Sequence, residues 1–214
     1  MAVVQLVDIY AVRHGVTLWN LEHKYLGHTD QPLHEEYIMD LLPLKKQMKG
    51  LAFNRILSSD LLRCRQTLDV LQPQGLEYAK VDARLREIHF GLWEGKTYEQ
   101  MKEEPLYQSW LDDWMKKTPP KGESGSAVKQ RVLDCMLAEL DELTGSSKDG
   151  QVKCLLVVTH GGVIRMLLQY FWPDIPFWSW RVQNGKMLKW TIEKRGEWIC
   201  CSSPEALMQA NGNI

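Results

Sequence analysis

The chain is predicted to be an α/β protein: three layers, α/β/α, with a largely parallel central sheet and a small helical cap. Strand-like and helical segments alternate along the 214 residues, the pattern of a sheet covered on both faces. Two of the strands, Val3 to Val12 and Cys154 to Thr159, are continuous apolar runs of the kind buried inside a parallel sheet. Each run stops at the same kind of place, Arg13-His14-Gly15 in the first and His160-Gly161-Gly162 in the second. Open α/β sheets bind ligands beyond the carboxyl ends of their strands, so both histidines are expected on the binding edge.

The elements follow in order. Leu33 to Lys49 has helical content but contains Pro43, which predicts a kink or a broken pair of helices. Arg55-Ile56-Leu57 is a short strand, and Ser58 or Ser59 is expected to cap a helix that runs through Leu71 to the turn at Pro73 and Gly75. Thr97 to Lys116 reads as helical with an interruption at Pro105, and the turn-rich stretch 118–125 leads into a helix from Ala127 to Leu143. His160 then sits at a strand-to-helix turn, because VIRMLLQYF reads as a helix closed by Pro173. Met187 to Lys194 and Glu197 to Cys201, joined around Arg195-Gly196, form a closing hairpin. The last ten residues are expected to fray. One domain spans 1–214, with residues 97–125 as an inserted cap, since this length suits a single core better than two.

Composition narrows the function. Hydrophobic residues at 44% and charged residues at 25% suit a soluble globular protein, and no apolar run is long enough to span a bilayer. The net charge of −1 and the lack of a Lys/Arg block argue against nucleic acid as partner. The five cysteines are odd in number and form no C-x-x-C pair, which points to a reducing compartment, the cytoplasm. The apolar start lacks the basic region of a signal peptide and reads as the first strand. No spacing of His, Cys or Asp suits a metal, and His23, His28, His34 and His89 receive no role.

The chemistry that Arg13-His14-Gly15 suits is phosphoryl transfer. Phosphate monoesters hydrolyse very slowly in water, so a catalyst must neutralise a dianion and supply a nucleophile and a proton. Guanidinium grips two phosphate oxygens at once and stays charged. A histidine beside such arginines is biased toward its neutral form, the only form that attacks phosphorus.

Five blocks then carry a resemblance: RHGVTLWN at 13–20, GHTDQPL at 27–33, SSDLLRCRQT at 58–67, LREIHFGLWEG at 85–95 and VTHGGVIR at 158–165. In order and content they resemble the motif series of the histidine phosphatase superfamily, in its phosphoglycerate-mutase-like branch, and are similar to its broad-specificity and alpha-ribazole phosphatases. The resemblance implies that His14 becomes a phosphohistidine, and that Arg13, Arg63 and His160 bind the transferring phosphoryl group with Asn20, Gly27 and Gly161 assisting. It also implies that Glu87 protonates the leaving alcohol and then activates water, helped by a bound dianion that raises its pKa. The S-x-L-x-R pattern selects Arg63 over Arg65, which lies about 200° away round a helix.

The implied function is a metal-independent phosphatase without a cofactor, acting on a small phosphorylated metabolite and releasing inorganic phosphate. Two alternatives stay open: a cofactor-dependent phosphoglycerate mutase, and a non-catalytic phospho-ligand or protein-binding module on the same fold. Leu26, Ile88 and the THGG block depart from the mutase pattern, and LHEEYIMDLLPLKKQMKG departs from the phosphatase one. Two readings are likewise open for Tyr107, Trp110, Leu111 and Trp114, which fall on one helical face: core packing, or a roof over the site. Glu123 and Ser124 either cap the following helix or face the pocket.

Overall fold

Seven strands form one sheet in the order β3-β2-β4-β1-β5-β6, with β7 also paired to β5, in a computed structural model that describes residues 5–145 and 152–206. The strands are β1 (Gln5–Arg13), β2 (Arg55–Ser58), β3 (Lys80–Val81), β4 (Lys153–Thr159), β5 (Met187–Arg195), β6 (Glu197–Cys200) and β7 (Glu205–Ala206). The ladders among β1, β4, β2 and β3 are parallel, whereas β5 runs antiparallel to β1, β6 and β7. The sheet is thus largely parallel with a single reversed strand. The expected hairpin is β5 and β6, turning at Gly196 with φ +83°.

Strand alternation divides the core between two faces. Tyr10, Val12, Ile56, Leu156 and Val158 face α2 (Leu42–Gln47) and α3 (Leu62–Leu71). Val7, Ile9, Ala11, Leu57, Leu155 and Val157 pack with α6 (Gly125–Thr144) and α7 (Gly161–Phe171). Both faces of β1 and β4 are therefore covered, which is why their sequences are apolar without interruption.

The Leu33 to Lys49 stretch is a broken pair: a 3-10 helix over Glu35–Leu41, then α2 with Pro43 in its first turn, where a missing N–H costs nothing. The serine cap is a correction. The N-cap of α3 is Leu61, whose side chain makes no capping bond, and the Leu62 N–H donates to Asp30 Oδ1 at 2.7 Å instead. Before α6 in the chain come α4 (Tyr98–Met101) and α5 (Pro105–Asp112), the latter begun by Pro105. Tyr107 and Trp110 of α5 are buried with Trp93 and Phe90 in the larger core, while Leu111 is exposed and α5 ends before Trp114. The four do not share one buried helical face. All five cysteines are free, and no helix among the described residues is long and apolar enough to cross a membrane. Part of the expected first strand and most of the last ten residues lie outside the described residues.

Candidate active site

Register brings the two histidine turns together: Arg13 of β1 pairs with Thr159 of β4, so His14 and His160 leave the sheet side by side. The His14 N–H donates to Thr159 O at 2.9 Å, and the two imidazole rings stand 5.2 Å apart at 61°. Both rings are buried, His14 at 3% exposure and His160 at 0%. Burial, reinforced by Arg63 and Arg13, holds His14 neutral well below the ordinary histidine range, and burial with Arg63 does the same to His160.

Hydrogen bonds assign the tautomers. His14 Nδ1 lies 2.7 Å from Gly15 O, and a carbonyl only accepts, so Nδ1 carries the proton. The lone pair of the neutral ring is therefore on Nε2. His160 is wired in the opposite sense. Arg63 Nε donates to its Nδ1 at 3.3 Å, which leaves Nε2–H to donate to Ser59 Oγ at 2.9 Å.

Arg63 is buried, whereas Arg65 is exposed. Burying a guanidinium requires acceptors for its N–H groups, and Arg63 finds them in His160, in Thr29 O at 3.0 Å from Nη1 and in Gly27 O at 2.7 Å from Nη2. Gly27 thus reaches the site through its carbonyl. A Cβ there would fall 2.4 Å from both Glu94 Oε1 and Ile88 O, so the loop can lie this close only with glycine. Glu94 in turn accepts from His28 N at 2.8 Å and Thr29 N at 2.7 Å, which fixes the carbonyls that hold Arg63. Arg13 donates from Nη1 to Val182 O at 2.7 Å, but its buried Nε has no partner. Burial lowers Arg13 to about 10, still charged at neutral pH.

Glu87 sits at the amino end of α7, whose N-cap is His160. The Gly162 N–H donates to Oε2 at 2.9 Å and the Ile88 N–H to Oε1 at 3.0 Å. A Cβ on Gly162 would lie 2.2 Å from Oε1, so glycine is what admits the carboxyl to the helix end. The neighbouring arginines are used elsewhere, Arg84 by Asp82 and Arg86 by Asp60. From below, Arg131 grips the segment, donating to Arg84 O and Arg86 O at 2.7 Å and to Glu87 O at 2.9 Å. Glu123 pairs with that same Arg131, while Ser124 is the N-cap of α6.

Asn20 lies on α1 (Leu18–Leu21), its Oδ1 accepting from Thr17 N at 3.2 Å, Thr17 Oγ1 at 3.1 Å and Asn184 Nδ2 at 3.0 Å. That consumes the oxygen and leaves the amide N–H groups free to meet an anion. Asn184 also donates to His14 O at 3.1 Å, and Gly185 N–H donates to Arg13 O at 3.0 Å, so the loop before β5 clasps the Arg13-His14 turn. Asn184 and Arg131 carry no sequence signal that sets them apart; Thr29, Ser59 and Arg165 stand inside the GHTDQPL, SSDLLRCRQT and VTHGGVIR blocks but have no assigned part in the site there. Among the described residues no group of three His, Cys, Asp or Glu could hold a metal ion.

The site gathers the guanidinium groups of Arg13 and Arg63, two neutral imidazoles and the Glu87 carboxyl. Residues 9–201 match the family model described as histidine phosphatase superfamily (branch 1). An adenosylcobalamin/alpha-ribazole phosphatase of Escherichia coli K12 is 29% identical over 83% of this chain and 86% of its own. A probable phosphoglycerate mutase, GpmB, of Cronobacter sakazakii is 31% identical over 76% of this chain and 74% of its own. The crystal structure of the alpha-ribazole phosphatase from Shigella flexneri superposes with a TM-score of 0.75 at 26% identity, covering 91% of this chain and 94% of that one.

Proposed function

The chain belongs to the histidine phosphatase superfamily, and on that premise we propose that it hydrolyses small phosphate monoesters through a phosphohistidine on His14, without a metal. The observation that carries this reading is the free Nε2 of a buried, neutral His14 beside a buried guanidinium N–H that has no acceptor. An unpaired buried donor is costly, and a phosphoryl oxygen relieves that cost.

In the first step His14 Nε2 bonds to phosphorus as the ester P–O bond breaks, and protonated Glu87 gives its proton to the departing alkoxide. In the second, the Glu87 carboxylate takes a proton from water while the water oxygen bonds to phosphorus and the N–P bond breaks. Inorganic phosphate leaves and His14 returns to its neutral form. Arg13 and Arg63 hold the equatorial oxygens throughout, with the amide of Asn20 and the Gly161 N–H as further donors, and the Nε2–H of His160 joins them by exchanging Ser59 Oγ for a phosphoryl oxygen. Because Arg63 is already fixed by three protein acceptors, little of this charge has to reorganise during the reaction.

The same first step serves a mutase, and relatives of both kinds match this chain. Hydrolysis is favoured by the THGG block, since Gly162 is what lets Glu87 lie at the helix end where it can reach a water. The test is single-turnover labelling with a generic phosphate ester, an alkaline quench and mapping of acid-labile phosphate to His14, with chelator present. Discharge to water supports the phosphatase; discharge only to phosphoglycerate replaces it with the mutase.

A further inference from the structure

Arg165 has no part in the chemistry above, yet it stands beside it. Arg165 Nη1 and Arg13 Nε each lie 3.3 Å from where a Cβ on Gly161 would be, so the two guanidinium groups flank the start of α7 together. Arg165 is half-buried and its Nε donates to Trp180 O at 3.1 Å, whereas its two η nitrogens make no hydrogen bond to any described residue. The guanidinium carbon lies 6.0 Å from the ring of Trp178. That indole is 56% exposed, an unusual position for a large aromatic group, and it is not loose. Phe177 holds it at 4.7 Å and Trp114 at 5.6 Å. A fixed, open aromatic face and a planar donor with unused N–H groups form half of a recognition pair.

We propose that Arg165 and Trp178 form a subsite for a planar heteroaromatic group carried by the alcohol half of the substrate. The ring stacks on Trp178, and a ring acceptor takes an N–H from Arg165, while the phosphoryl group sits between Arg13 and His14. The subsite rests on the phosphate-ester reading for that anchor. An aliphatic acid would engage Arg165 but leave the indole bare, so a heteroaromatic ring uses more of what is present. Trp114 supports Trp178 through a tilted ring contact, and Tyr107 and Trp110, fully buried, stay outside the subsite.

The experiment compares binding of ribose 5-phosphate and adenosine 5′-monophosphate by calorimetry, on full-length chain carrying His14→Ala so that neither turns over. The two ligands share phosphate and alcohol and differ only in the base. The nucleotide is expected to bind roughly tenfold or more tightly, as one stacked base commonly contributes. Trp178→Ala and Arg165→Ala each bring the ratio to within about twofold of one, and Trp178→Phe, which keeps a stacking face, retains most of it. A ratio near one before substitution, or a ratio that survives Trp178→Ala, overturns the subsite. So does a preference for 3-phosphoglycerate that needs Arg165 but not Trp178. Turnover of ribose 5-phosphate by the unaltered chain is measured alongside: no turnover with the ratio intact sinks the phosphatase reading and leaves the subsite standing.

Discussion

Two strand ends meet at the active site, each carrying a histidine at a glycine turn, and the two imidazoles are wired in opposite ways. His14 spends Nδ1–H on the carbonyl of its own neighbour and keeps a lone pair on Nε2 with no partner. His160 has both nitrogens engaged, one by Arg63 and one by Ser59. Residue type, burial and place in the sheet are shared, so none of these distinguishes a nucleophile from its support. The difference is made by which ring nitrogen the surroundings leave unsatisfied.

Removing either ring is the hardest test of that contrast. His14→Ala is expected to abolish phosphohistidine labelling and lower kcat/KM by on the order of 10⁴ or more, since no other group can take its place. His160→Ala should retain labelling and cost roughly 10² to 10³, the scale of losing one positioned donor and loosening Arg63. Equal losses with no label from either variant would break the distinction.

A smaller effect comes from under Glu87. Arg131→Ala removes the donor that holds the carbonyls of Arg84, Arg86 and Glu87, and the resulting loss should depend on the leaving group. We expect about 100-fold on an alkyl phosphate, which needs its proton, and under about tenfold on 4-nitrophenyl phosphate, which does not. A uniform loss on both esters would make Arg131 a matter of folding alone.

The smallest effect is on stability against pH. Both histidines are held neutral below their ordinary value of 6.5 in the folded chain, first by burial and then by Arg63. As pH falls through 6.5 the unfolded chain binds a proton at each while the folded chain does not, so stability is full above this pH and declines below it. Each contributes a slope of up to about 1.4 kcal/mol per pH unit in that range. Thermal denaturation from pH 8 to 5 should show the decline, and His14→Gln should make it shallower; an unchanged slope would mean that other groups set the acid limit.

Much of this was legible in the sequence because its signals are local. A buried strand that ends in histidine and glycine shows itself within ten residues, and the family's S-x-L-x-R pattern selects Arg63, with Arg65 on another side of the helix. What the sequence hid is what joins distant segments. Asn184 reaches His14 across 170 residues and Arg131 reaches Glu87 across 44, and neither contact leaves a pattern at either end. A serine does not cap α3 because Ser59 Oγ is taken by His160 and by the Leu61 N–H ahead of the helix, and Asp30 meets the helix end from another loop. Trp178 reads as one more aromatic residue until its exposure is known.

The loop from Val182 to Lys186 gives the molecule a temporal property. It clasps the Arg13-His14 turn from the single reversed strand, and it follows His14, Arg63, Glu87 and His160 in the chain. Translation proceeds from the amino terminus at about 5 to 20 residues per second. A ribosome that has released β1 through α7 has therefore already delivered His14, Arg63, Glu87 and His160, yet the backbone of the Arg13-His14 turn still lacks its clasp. On the proposed mechanism, competence is expected only with the emergence of β5, seconds after the last of those side chains.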